Sequence, residues 1–412
     1  LSAWLWESEI SLTSIGLISL ASTAYALKFL WAPLVDKMPL PVLGRLMGQR
    51  RSWILLSQSV IALSMLGLGS TSPAVDLWWT VFWAVVLAFA SATQDIVVDA
   101  YRIESLDDER QGAGAANYVL GYRLAMLAAG AGALFAADAW GWFAAYGLMA
   151  ALMSIGILTV LFSPEPEHIV SLETEEREEK VVAFIDRYAH LPATLHSTMV
   201  RLYEAVICPF ADFMSRPHWW VILLFVGLYK YGEALLGTMA NPFYLDVGFS
   251  KSEIAAVSKF YGLSMTILGG FIGGVMVSRM GIMKALLYAG ILQCLANLIF
   301  AVQAMVGYSI PMLAVSISIE NLTAGMATTA FIAYLSSLCN VAYTATQYAL
   351  FSSLMNVART VLAAGGGWLA DATDWVSYFV ITTFAAMPAL FILVWLMRRL
   401  PPQEPRGQPQ EE

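Results

Sequence analysis

The chain has 412 residues, 59% of them apolar and only 13% charged, with a mean hydropathy of +0.67 and a formal net charge of −8. A soluble protein of average make-up is about 45–50% apolar and about 25% charged. The composition therefore excludes a soluble enzyme, a disordered chain and a nucleic-acid binder, and describes a membrane protein.

Leu1–Glu9 reads as the outer end of a span that begins before this sequence. Eleven apolar stretches follow, near 12–34, 52–72, 77–101, 113–137, 141–163, 218–241, 252–278, 282–306, 309–337, 343–370 and 375–397. Each is long enough to cross a bilayer, which takes about 20 residues of helix. Lipid satisfies no backbone polar group, so they are helices and not alternating barrel strands. With the missing first helix restored, the expectation is an all-α protein of twelve spans in two six-helix bundles. The expected divisions are an N-terminal bundle over 1–163, a linker over 164–217, a C-terminal bundle over 218–399 and a tail over 400–412.

The linker carries the acidity. Residues 164–190 hold eight acids against three bases. Of the 22 Lys and Arg, sixteen fall on one set of alternate loops and only Lys251 on the other. That asymmetry places the basic loops, the linker and both termini of the complete protein in the cytoplasm.

The remaining five bases, Lys28, Arg123, Lys230, Lys259 and Arg359, lie inside spans, as do Asp95, Asp99, Glu233 and Glu320. A charge at such a position normally faces a cavity or a partner. Asp95, Asp99 and Arg102 share one helical face by their spacings of four and three, with Gln94 beside them. Asp95 and Asp99 are candidate proton carriers, and an Asp99–Arg102 pair is the structural alternative. Arg123 and Arg359 lie roughly 15–24 Å deep at the helical rise. They either bind an anionic substrate or pair internally, Arg123 with Asp95 or Asp99 and Arg359 with Glu320. Lys230 and Glu233 share a turn in a helix loosened by Gly232, Gly237 and Pro242, with Tyr229 and Tyr231 as aromatic faces. Glu233 is then a third proton carrier or the partner of Lys230. Lys28 either binds substrate or, like Lys259, reaches its nearer membrane surface.

The three cysteines are far apart, the four histidines are scattered, and no ligand spacing for a metal appears. Nor is there a phosphate-cradling glycine loop. The expectation is a transporter without enzymatic activity or cofactor, driven by a proton gradient.

The two halves are faintly alike. Ala92-Thr93 returns as Ala327-Thr328, and Leu127-Ala-Ala-Gly130 as Leu362-Ala-Ala-Gly365, both at an offset of 235. Parallel six-helix repeats are the mark of the major facilitator architecture.

Lys28-Phe-Leu-Trp-Ala-Pro-Leu-Val-Asp36, followed by Gly44-Arg45 and Arg50-Arg51-Ser-Trp53, resembles the second-helix motif of AmpG-type muropeptide permeases. Ala92-Thr-Gln-Asp-Ile-Val-Val-Asp-Ala-Tyr-Arg102 is similar to that family's most distinctive segment. Pro209-Phe-Ala-Asp-Phe213, Glu320-Asn-Leu-Thr-Ala-Gly325, Leu338-Cys-Asn340 and Ala345-Thr-Gln-Tyr-Ala-Leu350 fit its second half. The resemblance implies a proton-coupled importer of N-acetylglucosaminyl-1,6-anhydro-N-acetylmuramyl peptides in the bacterial inner membrane, and a monomer is expected. It feeds cell-wall recycling and the β-lactamase induction signal. The resemblance also implies a gate in the loop after the first complete span, built from Asp36, Arg45 and Arg51, with Arg102 nearby. Two rivals are a carrier like the eukaryotic acetyl-CoA transporters and a non-transporting assembly factor on the same fold. The external loops are too short for the first, and the charged interior counts against the second.

Overall fold

The computed structural model describes residues 1–166 and 207–399. Most of the expected linker and the 400–412 tail therefore lie outside the described residues. The described chain is helical, and eight of its helices are long and apolar enough to cross a membrane. One of these runs from Gln111 to Phe162, and Gly141 breaks it with a φ of 82°, so this stretch supplies two passes.

Two expected spans are helical but interrupted. The 12–34 stretch consists of the helices Leu12–Ser19, Thr23–Leu27 and Ala32–Lys37, separated by 3₁₀ turns at Leu20–Ser22 and Lys28–Leu30. Pro33 explains the second break, because proline has no N–H and its ring crowds the preceding turn. The 343–370 stretch divides into Thr344–Ala363 and Gly365–Ala372. The repeated Leu-Ala-Ala-Gly marks a discontinuity in both halves. It ends the second-half helix at Ala363 and, in the first half, starts a π-helical segment over Ala128–Gly132. Another interruption separates Trp219–Leu228 from Tyr231–Asp246, at Tyr229 and Lys230.

The chain forms two compact units. One comprises Leu1–Ser105, Leu124–Phe213 and Cys339–Ser353, and the other Leu106–Arg123, Met214–Leu338 and Leu354–Glu412. In the first unit, an apolar cluster of Ala32, Val35, Ile54, Ile96, Val97, Ala100, Ala345 and Ala349 joins four helices at one end. Small side chains dominate there, so the backbones approach closely. At the other end Trp4 stacks on Trp142, with centroids 5.9 Å apart.

The second unit is held by an aromatic cluster around Phe243, Phe300, Tyr378 and Phe379, and by glycine contacts. The Gly262–Met280 helix lies so close to Ile310–Ser337 that a Cβ on Gly269 would meet the Leu322 carbonyl oxygen at 2.1 Å. Lipid tails are as apolar as leucine, so such close van der Waals contact is what holds helices together in a membrane. The same solvent explains the exterior, where Phe135, Trp368 and Phe391 are each more than 70% exposed.

Candidate functional site

Charged residues meet in three places. The first lies within the first unit. Lys28 Nζ is ion-paired with Asp95 Oδ2, and the Lys28 side chain is 2% exposed. Lys28 lies in the 3₁₀ turn at Lys28–Leu30, and its pairing rules out the alternative in which it reaches the membrane surface. Around the pair, Trp31 Nε1 donates to Thr93 Oγ1 at 3.1 Å, and the Tyr25 and Ser91 hydroxyls are 2.5 Å apart. One turn on, Asp99 faces Arg102 at 3.6 Å, and Arg102 lies 5.6 Å from the centre of the Tyr348 ring. Gln94 is half-buried on the same helix.

The second place lies within the second unit, at the Tyr229–Lys230 interruption. Lys230 Nζ donates to Glu233 Oε2 at 2.5 Å and to Thr328 Oγ1 at 2.7 Å. Gln293 Nε2 donates to the same Glu233 oxygen at 2.6 Å. A narrow cavity lined by Glu233, Gln293, Asn297 and Cys294 adjoins them. Glu320 accepts from Asn321 Nδ2 at 2.6 Å and feels the charges of Glu233, Lys230 and Arg123. Arg359, exposed on its helix, acts on Glu233.

These placements bear on the expected pairings. Within the second unit Arg123 acts electrostatically on Glu320, and its buried Nε has no hydrogen-bond acceptor among the described residues. The Arg359 charge reaches Glu233 as the weakest of the groups acting on it. Tyr229 is a packing residue: its hydroxyl donates to the Leu286 carbonyl at 2.9 Å, and its ring stacks on Phe331 at 4.8 Å. Its aromatic face is therefore consumed, whereas Tyr231 is only half-buried. The Lys259 side chain lies outside the described residues.

The third place is at the basic-loop end of the first unit. Asp36 is buried at the N-terminus of Thr344–Ala363. Its Oδ2 accepts the Thr346 N–H at 2.7 Å and the Thr346 hydroxyl at 2.5 Å. Its Oδ1 accepts the Ala345 N–H at 3.2 Å and Arg50 Nη2 at 2.8 Å. The first N–H groups of a helix have no internal partner and carry partial positive charge, so a carboxylate is well placed there. Arg50 also binds Glu104 through Nε at 2.9 Å and Nη2 at 2.7 Å.

The expected gate named the neighbouring arginines. Arg51 instead donates to the Val160 and Leu161 carbonyls at 3.0 and 2.8 Å, and Arg45 is exposed. Arg50, Glu104 and Thr346 are the members missed. The helical period held a signal for the first: Arg50, Ile54, Ser57, Ile61, Ser64 and Leu68 form the buried stripe of Gln49–Gly69.

A family model described as Major Facilitator Superfamily matches residues 2–296 and 222–412. The chain is 38% identical over 396 residues to the anhydromuropeptide permease of Escherichia coli K12, covering 96% of this chain and 74% of that protein. It is 37% identical over 402 residues to a Rickettsia felis protein named putative transporter AmpG 4, covering 97% of this chain and 92% of the relative. Among solved structures it resembles the proton:xylose symporter XylE, with a TM-score of 0.66 at 12% identity over 97% of this chain and 90% of that one. The outward conformation of FucP gives a TM-score of 0.65 at 11% identity, over 93% and 90% of the two chains. At these identities the structural matches speak for the fold alone.

Proposed function

Because the chain belongs to the major facilitator superfamily and, within it, to the AmpG-type muropeptide permeases, we propose that it is a proton-coupled carrier importing anhydromuropeptides across the bacterial inner membrane. The observation that carries the coupling is the Lys28–Asp95 pair. A lysine this buried needs an anion beside it. When Asp95 takes up a proton, the Lys28 ammonium loses that anion and becomes available to a substrate carboxylate. Proton and anionic substrate then favour each other's binding, which is the thermodynamic content of symport.

In this reading Asp99 and Arg102 form the next station toward the cytoplasm, and Glu233 with Lys230 forms a corresponding switch in the second unit. Arg123 offers a cation to a peptide carboxylate, since a guanidinium binds carboxylate in a fork. Tyr231 and Gln94 serve the sugar portion. Glu320 and Arg359 set the charge balance around Arg123 and Glu233. The basic loops face the cytoplasm, and Asp36 on the Thr344–Ala363 helix end acts as the cytoplasmic gate, closed when its hydrogen bonds are made.

Vesicle uptake of a radiolabelled anhydromuropeptide under an imposed pH gradient tests this. Accumulation should collapse with an ionophore and with Asp95→Asn. Accumulation by Asp95→Asn that still follows the gradient would refute the coupling assignment.

A further inference from the structure

The gate depends on support that its own residues do not supply. Asp36 binds between two helix N-termini, that of Gln49–Gly69 through Arg50 and that of Thr344–Ala363 through Ala345 and Thr346. Its contacts span 2.5–3.2 Å, and hydrogen bonds weaken steeply beyond that range. Both helix ends must therefore be held in place.

Each is held by a second carboxylate that does not touch Asp36. Gly48 stands at the N-cap of Gln49–Gly69 and supplies no capping side chain. Glu165 takes that place: Oε1 accepts the Arg50 N–H at 2.7 Å and Oε2 the Arg51 N–H at 3.0 Å. The fit excludes a larger residue at the cap, since a Cβ on Gly48 would lie 2.4 Å from the Glu165 carboxyl carbon.

At the other helix end the carboxylate is Asp212, on the short Cys208–Met214 helix. Its Oδ2 accepts Gln347 Nε2 at 2.9 Å and its Oδ1 accepts Asn340 Nδ2 at 3.2 Å. Gln347 is 1% exposed and its amide is fully used: Nε2 also donates to the Pro209 carbonyl at 3.0 Å, and Oε1 accepts the Asn340 N–H at 2.7 Å. Gln347 follows Thr346 directly, so fixing its side chain fixes the two N–H groups that Asp36 binds. Contact of the Phe213 and Phe351 rings at 5.0 Å adds an apolar hold on the same pair of helices.

We propose that Glu165 and Asp212 are positioning residues for the gate, each securing one of the two helix ends that bind Asp36. The proposal rests on the gate role given to Asp36 above. A carboxylate is suited to the task because its hydrogen bonds to N–H groups are charge-assisted and short.

Thiol accessibility tests this without reference to cargo. In a chain with Cys208, Cys294 and Cys339 replaced by alanine, Ala100→Cys places a reporter at a position 0% exposed, in the cluster with Ala345 and Ala349. Inside-out vesicles are treated with a membrane-impermeant maleimide and the labelling rate is measured. Asp36→Asn, the reference, should label fast. Asp212→Asn and Glu165→Gln should each raise the rate roughly tenfold, the equivalent of one charge-assisted hydrogen bond. Gly269→Ala, a packing defect in the other unit, should leave the rate within about twofold of the parent.

Rates within about twofold of the parent for both single variants, with Asp36→Asn fast, would overturn the proposal and leave the gate standing. Slow labelling of Asp36→Asn itself would remove the gate and the proposal together. Equally fast labelling of Gly269→Ala would mean general loosening and would also overturn it. Should Asp212→Asn fail to insert, Glu165→Gln decides alone.

Discussion

The Asp36 carboxylate accepts the backbone N–H of Thr346 at 2.7 Å, across 310 positions of sequence. Neither residue has a meaning for the other until the chain is folded, yet together they bind the Ala32–Lys37 helix to the end of Thr344–Ala363. Neutralising Asp36 keeps the shape and removes the charge, so each of its charge-assisted bonds loses strength. Asp36→Asn should reduce maximal uptake several-fold while changing muropeptide affinity little. A lowered affinity at unchanged maximal rate in vesicle uptake would contradict the assignment.

Arg50 and Arg51 should behave differently although they are adjacent. Arg50 is 3% exposed and binds Asp36 and Glu104. Removing one member of a buried charge network costs about 3–5 kcal/mol. Arg51 is only half-buried and donates to two carbonyls at the end of Ala133–Phe162, where water partly replaces the lost partner, so the two bonds together are worth about 1–3 kcal/mol. Arg50→Gln should therefore lower the thermal midpoint in detergent more than Arg51→Gln, and only Arg50→Gln should slow transport strongly.

The Lys28–Asp95 pair separates folding from coupling. Lys28→Met alone takes the cation away from Asp95, and Asp95→Leu alone leaves Lys28 buried without its paired anion. Each should cost about 3–5 kcal/mol of stability. The double variant removes both charges and should recover most of that loss in a thermal scan. It should nonetheless fail to accumulate substrate against a gradient. Accumulation by the double variant would show that the pair only holds the fold.

Arg123 has a buried donor with no acceptor among the described residues. A charge-assisted hydrogen bond is worth about 1.5–3 kcal/mol, or roughly 10- to 150-fold in affinity. Arg123→Gln should weaken binding of an anhydromuropeptide by a factor in that range. The peptide-free anhydrodisaccharide, with only its lactyl carboxylate, should lose less. Equal losses in a direct binding titration would assign Arg123 to the charge balance around Glu320.

Two glycines give a packing control. Gly269→Ala would drive a methyl into the Leu322 carbonyl oxygen at 2.1 Å, whereas a Cβ at Gly237 meets nothing within 4 Å. Overpacking costs about 1–3 kcal/mol, and an open helical glycine is improved by alanine by up to about 1 kcal/mol. Gly269→Ala should lower the thermal midpoint, and Gly237→Ala should leave it unchanged or raise it.

What the sequence by itself determined follows from local rules. The apolar stretches are long because the bilayer is thick, so the spans can be read directly, including the loosened helix around Lys230. Membrane charges are expensive, so Lys28, Asp95, Asp99, Arg123, Lys230, Glu233, Glu320 and Arg359 stand out without a structure. Spacing alone offered Asp99 with Arg102 and Lys230 with Glu233 as pairs, because three residues make nearly one helical turn. Only the tertiary structure decided the pairings between helices. Lys28 turns inward because Pro33 breaks its helix, and Tyr229 spends its ring on Phe331. Arg50 rather than Arg51 meets Asp36 because one step along a helix rotates a side chain by about 100°. Which of two neighbours is buried thus depends on where the next helix lies, and that position is set by contacts such as Asp36 with Thr346, hundreds of residues apart.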